Sequence, residues 1–104
     1  MSELELSPKP DLAEWQAFVR RLVDERHFTK DPNEVFIRFA EEVGELAKEM
    51  RKKWKLGAAA SATAAGELAD VFMYLCDLAN HFGVDLEQAV RSKHEANSGR
   101  VWKF

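Results

Sequence analysis

The sequence has little cysteine, no long apolar run and no excess of positive charge. Its single cysteine, Cys76, cannot form an internal disulfide, so the fold does not depend on an oxidising compartment. No apolar stretch approaches the roughly 20 residues that a membrane span requires. The first ten residues, MSELELSPKP, lack the basic start and apolar block of a signal peptide. These absences predict a cytoplasmic protein.

Charge and composition exclude further functional classes. The formal net charge is -3, and the short basic run at residues 51–55 directly follows an acidic stretch. Nucleic acid polymers and anionic membranes are bound by clustered Lys and Arg, so neither partner is expected. With 104 residues, 46% apolar and 32% charged, the chain has the make-up of one small globular domain. We expect that domain at residues 11–104, after a tail at residues 1–10.

The pattern of apolar and capping residues predicts an all-α fold. No segment alternates polar and apolar residues as a half-buried strand does. Asp11 with Glu14, and Asp85 with Gln88, have the spacing of capping boxes, and Asp31 precedes a proline at a first helical position. The predicted helices run from about residue 11 to 26, 31 to 54, 63 to 83 and 85 to 99. Their short connections favour an antiparallel four-helix bundle.

Two acidic pairs lie beside the predicted apolar faces. At about 100° per residue, Glu42 and Glu45 border the stripe of the second helix, and Glu67 and Asp70 border that of the third. If these helices pack antiparallel, four carboxylates converge, and such a group opposes folding unless a cation neutralises it. Oxygen ligands favour Mg²⁺, with Mn²⁺ as the next choice, and no histidine accompanies the pairs as iron or zinc would require. The alternative is a solvated acidic helix face, and this alternative applies to Glu41 and Glu49 in particular.

These motifs resemble those of a known superfamily. The segment EEVGEL at residues 41–46, followed by ELADV at residues 67–71, resembles the ExxE…ExxD signature of the MazG-like, all-α nucleoside triphosphate pyrophosphohydrolases. The overall layout is most similar to the compact dCTP pyrophosphatase-type members. The resemblance extends into the C-terminal region, where a lysine, an asparagine and an arginine recur at Lys93, Asn97 and Arg100.

The resemblance implies a fold, an assembly and a reaction. It implies an intertwined homodimer or homotetramer that holds Mg²⁺ and hydrolyses a nucleoside triphosphate between the α and β phosphates. The products are a monophosphate and pyrophosphate, and the implied role is the clearance of surplus or non-canonical nucleotides. The residues implied at the site are Glu42, Glu45, Glu67 and Asp70 as metal ligands, Lys93, Asn97 and Arg100 as phosphate-binding residues, and Glu41 as the catalytic base or a further ligand.

Base recognition stays open at this level. Phe28 and Trp54, at helix ends, are the candidates for contacting the base, whereas Trp15 and Phe18 fall on an apolar stripe and are expected in the core. Relatives that act on dUTP or phosphoribosyl-ATP share the acidic motifs, which therefore do not identify the base. A second alternative is a catalytically silent helical interaction or regulatory module that keeps the acids as a structural metal site.

The third helix supports an oligomer independently of the resemblance. Its core arc includes Leu68, Leu75 and Phe82, and it carries Met73 and Cys76 on the opposite side. A helix that is apolar nearly all round must be buried on two sides. A protomer of four short helices cannot cover both sides, so one of them is expected to face a second subunit.

Overall fold

The structure is a computed structural model that describes residues 5–56 and 61–98. Within these ranges the chain forms four helices, α1 (Leu12–Glu25), α2 (Pro32–Leu56), α3 (Ser61–His81) and α4 (Leu86–Asn97). No strand occurs in this part of the chain, and the all-α prediction is confirmed for it. As far as the described residues go, none of the helices has the length and apolar character needed to cross a bilayer.

Aspartates cap α1 and α4 as the sequence predicts, but the second residue of each capping box bonds elsewhere. Asp11 Oδ1 accepts a hydrogen bond from the Glu14 backbone N–H at 2.8 Å, and Asp85 Oδ1 accepts one from that of Gln88 at 3.0 Å. The Glu14 carboxylate accepts from the backbone N–H and the hydroxyl of Ser7, at 2.7 and 2.6 Å. The start of α1 therefore holds part of the predicted N-terminal tail.

Two turns place the residues that follow α1 and α3. Gly83, the predicted stop of α3, has a φ of 66°, a left-handed conformation that costs glycine little. His27 also has a positive φ, 54°, and the next N–H, that of Phe28, donates to the Val23 carbonyl at 3.0 Å. This turn fixes the backbone of Phe28 against the end of α1. The predicted stop at Gly99 lies outside the described residues.

Helix α3 is the centre of the fold, because it packs against both α2 and α1, while α4 packs against α1. Trp15 and Phe18 pack against the core, which confirms their predicted position. The Trp15 ring meets the rings of Phe18 and Phe72 edge to face, with centroid distances of 5.8 and 6.0 Å. The core cluster comprises Val19, Val23 and Cys76, with Trp15, Phe18, Phe72, Met73 and Leu86 packed against it.

The structure corrects the side of α3 that turns inward. Leu68, Leu75 and Phe82, predicted in the core, are 55%, 41% and 75% exposed, whereas Cys76 is fully buried and Met73 packs against the same cluster. Because α3 is apolar on nearly all sides, its periodicity does not say which side α1 will cover. Helix α2 also leaves large apolar side chains outside the core: Val35 is buried, but Phe36, Val43, Met50 and Trp54 are exposed.

A buried glutamine joins three helices at one end of the fold. Gln16 of α1 donates from Nε2 to the Val84 carbonyl at 2.8 Å, and its Oε1 accepts from the Leu86 backbone N–H at 2.9 Å. The Asn80 side chain of α3 donates to the Gln16 carbonyl at 2.9 Å. These bonds fix the α3–α4 turn against α1, and no sequence motif had marked them.

Candidate functional site

Helices α2 and α3 bring three of the four predicted metal ligands together. Arg38 of α2 lies beside Tyr74 of α3. Glu42, four residues further along α2, lies beside Glu67 and Asp70, which come earlier in α3. The two helices therefore run antiparallel. One carboxylate oxygen from each of Glu42, Glu67 and Asp70 lies within 4.8 Å of the other two, and all three residues are half-buried. We call these three residues the acidic cluster.

The acidic cluster is electrostatically unfavourable without a cation. Burial raises the pKa of Glu42, as do a hydrogen bond to Glu67 and the negative charges of Asp70, Glu67 and Glu45. Two ionised carboxylates cannot hydrogen-bond to each other, so their contact requires a proton or a cation. Glu67 Oε2 is buried and has no hydrogen-bond partner within the described ranges. A buried oxygen of this kind is costly to leave unpaired, and it is well suited to coordinate a metal.

The geometry of the acidic cluster fits a hard divalent cation. Ligand oxygens lie about 2.1 Å from Mg²⁺ and about 2.3–2.6 Å from Ca²⁺, so two ligands on opposite sides of one ion are about 4–5 Å apart. The separations of up to 4.8 Å within the acidic cluster agree with this range. The donor atoms are all carboxylate oxygens, which suit Mg²⁺ or Mn²⁺ better than softer metals.

Glu45 and Glu41 lie outside the acidic cluster. Both side chains are exposed, although the charge of Glu45 still contributes to the raised pKa of Glu42. The ligand role of Glu45 and the catalytic role of Glu41 therefore stay predictions. Glu49, for which a solvated face is the alternative, is only 9% exposed, and its carboxylate lies 3.3 Å from the Lys52 ammonium.

Tyr74 and Asp77, which no sequence motif had marked, continue the line of the acidic cluster along α3. They follow Asp70 at steps of four and three residues, so all three lie on the same side of the helix. Burial raises the pKa of both side chains. Asp77 is 8% exposed, with Oδ1 3.4 Å from His81 Nε2. The available signal was the continued three-and-four spacing of polar residues in an otherwise apolar helix.

Cavities adjoin this line of residues on both sides of Tyr74. One, of about 240 Å³, lies between α1 and α3 and has Phe28, Asp70, Tyr74 and Asp77 in its wall. Another, of about 390 Å³, shares Phe28, Tyr74 and Asp77 and extends to Arg38 on α2. Because Asp70 belongs to both the acidic cluster and the wall of the first cavity, one ligand could contact both.

The two aromatic candidates for base binding lie in different places. Phe28 is 48% exposed and borders both of these cavities, in agreement with its predicted position, while its role stays a prediction. Trp54 follows Glu42 by twelve residues on α2, which is about 18 Å along the helix axis. It is 78% exposed, and the Lys55 ammonium lies 4.5 Å from its ring centroid. Within one chain, Trp54 is therefore distant from the acidic cluster, and its role in base binding stays a prediction.

Two of the three predicted phosphate-binding residues, Lys93 and Asn97, lie on α4, away from the acidic cluster. Lys93 is exposed and Asn97 half-buried on α4, which packs chiefly against α1 rather than against the two helices of the acidic cluster. Arg100 lies outside the described residues. The phosphate-binding role of this set stays a prediction.

Comparison with known proteins identifies the family. No protein-family model matches the chain. A protein of Salmonella phage PMBT28 named dATP/dGTP diphosphohydrolase is 38% identical over 61 residues, which cover 59% of this chain and 21% of that protein. A cyanophage S-2L protein of the same name is 31% identical over 91 residues, which cover 88% of this chain and 77% of that protein. The chain belongs to the nucleotide pyrophosphohydrolase family of these proteins.

Membership of the nucleotide pyrophosphohydrolase family confirms the resemblance at the level of the family. The names of the two phage proteins refer to purine nucleotides, so they give no support to the more specific likeness to dCTP pyrophosphatase-type members. In this family context, the acidic cluster on α2 and α3 is the strongest candidate for the active site of the chain, because it joins a metal-fitting donor set to a cavity.

Proposed function

We propose that this chain is a Mg²⁺-dependent enzyme that hydrolyses purine deoxynucleoside triphosphates between the α and β phosphates, and that it clears surplus or non-canonical nucleotides. The observation that carries the proposal is the acidic cluster, in which three carboxylates converge and Glu67 Oε2 is buried without a hydrogen-bond partner in the described part of the chain. The family membership and the names of the phage relatives support the substrate class.

Glu42, Glu67 and Asp70 would hold the metal ion. When bound, Mg²⁺ screens the negative charge of a triphosphate, orients its phosphates and makes a water molecule more acidic. The exposed Glu45, whose charge already acts on Glu42, is the candidate for a fourth ligand. Glu41, on the solvent side of α2, is the candidate for accepting the proton of the attacking water.

The exposed apolar side chains of α2 and α3 support assembly with a second copy of the chain. Phe36 and Ile37 of α2 are 57% and 60% exposed, and they share an apolar groove with Phe82 of α3. Large apolar patches on soluble proteins commonly mark interfaces. We propose that this face is the interface of a homodimer or homotetramer. Phe82→Asp should then reduce the molar mass measured by light scattering after gel filtration, whereas an unchanged mass would exclude this face as the interface.

A product assay tests the proposed reaction. Purified protein with Mg²⁺ and dATP or dGTP should release the nucleoside monophosphate and pyrophosphate, separated by ion-exchange chromatography. Release of the diphosphate and orthophosphate would exclude cleavage between the α and β phosphates. No turnover of any nucleoside triphosphate with Mg²⁺ or Mn²⁺ would instead favour the catalytically silent helical module.

Substitutions in the acidic cluster test its role. Glu42→Gln and Glu67→Gln each remove one charged ligand, and because metal ions contribute several kcal/mol to transition-state stabilisation, we expect turnover to fall by about 100-fold or more. Glu87→Gln is the matched control, since Glu87 is exposed on α4 and pairs with Arg91. If both cluster variants fold and retain the wild-type rate, the acidic cluster is not the metal site.

A further inference from the structure

Asp77 occupies an unusual position at the inner end of the cavity that adjoins the acidic cluster. It is 8% exposed, and in the described part of the chain it borders the cavity of about 240 Å³ and two neighbouring cavities. His81 Nε2 lies 3.4 Å from Asp77 Oδ1. A charge-assisted hydrogen bond is shorter, about 2.7–2.9 Å, so this pair leaves much of the hydrogen-bonding capacity of the carboxylate unused.

The distance along α3 suits a nucleotide that contacts both ends of the cavity. Asp77 follows Asp70 by seven residues, or about 10 Å at the helical rise per residue. This is comparable with the distance from the α phosphate of a nucleotide to the far edge of its base. A triphosphate bound through metal at the acidic cluster would therefore have its base within reach of Asp77.

The walls between these two carboxylates have the chemistry of a base-binding pocket. Phe28 and Tyr74 supply aromatic surfaces, and Met73 and Val23 supply apolar ones. A volume of about 240 Å³ is at the small end for ligand pockets and suits a base with part of its sugar rather than a whole nucleotide. Aromatic stacking binds any base, so selectivity must come from a polar group, and Asp77 is the buried one.

We propose that Asp77 is the residue that recognises the base, by accepting hydrogen bonds from the N1–H and the 2-amino group of guanine. This inference rests on the proposed function of the acidic cluster. The two adjacent donors of guanine match the two oxygens of an ionised carboxylate. Adenine offers one amino donor beside the N1 acceptor. This acceptor would face the second carboxylate oxygen, so adenine would form only one hydrogen bond and N1 would be repelled. Thymine and uracil place carbonyl oxygens on both sides of their single N–H. The order of preference should therefore be dGTP, then dATP, then dTTP and dUTP.

Base analogues test this contact in the wild-type protein. dITP lacks only the 2-amino group, so it loses one hydrogen bond to a charged acceptor, and its kcat/KM should be about 10- to 100-fold below that of dGTP. dXTP carries a carbonyl oxygen in place of that amino group and should be rejected more strongly. If dGTP, dITP and dXTP have equal kcat/KM values, Asp77 does not recognise the base.

The Asp77→Asn variant provides the sharper test, because an amide replaces one acceptor by a donor. The amide can accept from the xanthine N1–H and donate to its 2-carbonyl, so the preference between dGTP and dXTP should reverse by at least tenfold in kcat/KM. Asp24→Asn is the matched control: Asp24 lies on α1, borders a neighbouring cavity and pairs with Lys30 at 2.6 Å. It should keep the wild-type order of substrates.

The outcomes separate this inference from the proposed function. A variant that keeps the wild-type order, or that loses activity equally on all triphosphates, assigns Asp77 a structural role with His81 and overturns the inference, while the proposed function stands.

If the wild-type protein hydrolyses no triphosphate, the proposed function fails, and titration of dGMP and dXMP in EDTA, followed by NMR, decides about Asp77. Tighter binding of dGMP supports the contact, and equal or absent binding overturns it. If Asp77→Asn does not fold, the wild-type comparison of dGTP with dITP decides alone.

Discussion

Replacing Glu42 by glutamine should stabilise the metal-free protein, although it removes a proposed ligand. Glu42 lies within 4.8 Å of carboxylate oxygens of Glu67 and Asp70. At such a distance two like charges repel by about 1 kcal/mol in water and by about 3 kcal/mol at an effective dielectric constant near 20. Because the residues are half-buried, solvent screening keeps the gain near the lower figure. A glutamine N–H can also donate to the Glu67 carboxylate, where two ionised groups need a shared proton.

We therefore expect the Glu42→Gln variant to be more stable than the wild type by about 1–2 kcal/mol in EDTA. For a domain of this size, each 1 kcal/mol raises the Tm by about 4–8 °C. Mg²⁺ should reverse the order. A ligand at 100 times its Kd stabilises the folded state by about 2.7 kcal/mol, and the variant, lacking one ligand, should gain much less.

Thermal unfolding followed by circular dichroism measures both effects. The protein concentration must be the same in every sample, because the stability of an oligomer depends on it. Glu87→Gln, on the exposed surface of α4, should change neither the Tm in EDTA nor the response to Mg²⁺. A wild-type protein that is more stable than Glu42→Gln in EDTA would refute the repulsion, and equal responses of the two proteins to Mg²⁺ would refute the metal site.

Three further predictions concern the scaffold. Gln16→Ala removes three part-buried side-chain hydrogen bonds, two to the α3–α4 turn and one to Asn80, so urea unfolding should show a loss of stability of about 2–4 kcal/mol. A loss below about 0.5 kcal/mol would contradict the role of Gln16 in holding this turn. The hydrogen bonds from Ser7 lower the pKa of Glu14, so Ser7→Ala should raise that pKa in an NMR titration. A lowered carboxyl pKa stabilises the folded state above the pKa of the unfolded chain, and this contribution is lost on acidification. The variant lacks part of this contribution, so it should lose less stability as the pH falls. Burial raises the pKa of Cys76 to about 11, so at pH 8 a thiol reagent should react with the folded protein about 100-fold more slowly than with the unfolded chain, and equal rates would place Cys76 at the surface.

Local features of the fold could be predicted from the sequence because they depend on residues close together in the chain. The caps at Asp11 and Asp85 each involve an N–H three residues away, and the left-handed turn at Gly83 needs only the absence of a side chain. The acidic pairs could be placed on helix faces for the same reason. Their meeting also required α2 and α3 to pack antiparallel, which the short connection between them favours.

Features that depend on distant residues were missed or misplaced. Gln16 bonds to residues more than 60 positions away, and no local pattern signals such a contact. For Asp77 the sequence offers only a weak signal, the continued spacing of polar residues along α3, because the cavity that gives this position its importance is formed together with residues of α1. The inward side of α3 was misassigned because Cys76 and Leu75 lie on different but equally apolar sides of the helix, and the choice between them is made by α1.

The exposed side of α3 bears on the candidate site. The acidic cluster joins α2 and α3, and the same two helices present exposed apolar side chains such as Phe36 and Phe82. The acidic cluster opposes the approach of these two helices when no metal is bound, since it concentrates like charges between them. Burial of the exposed apolar side chains against a second subunit would favour their approach, because it removes apolar surface from water. If the proposed interface and the proposed metal site are both correct, assembly and the cation would each hold this pair of helices at ligand distance, and subunit association would be coupled to metal affinity.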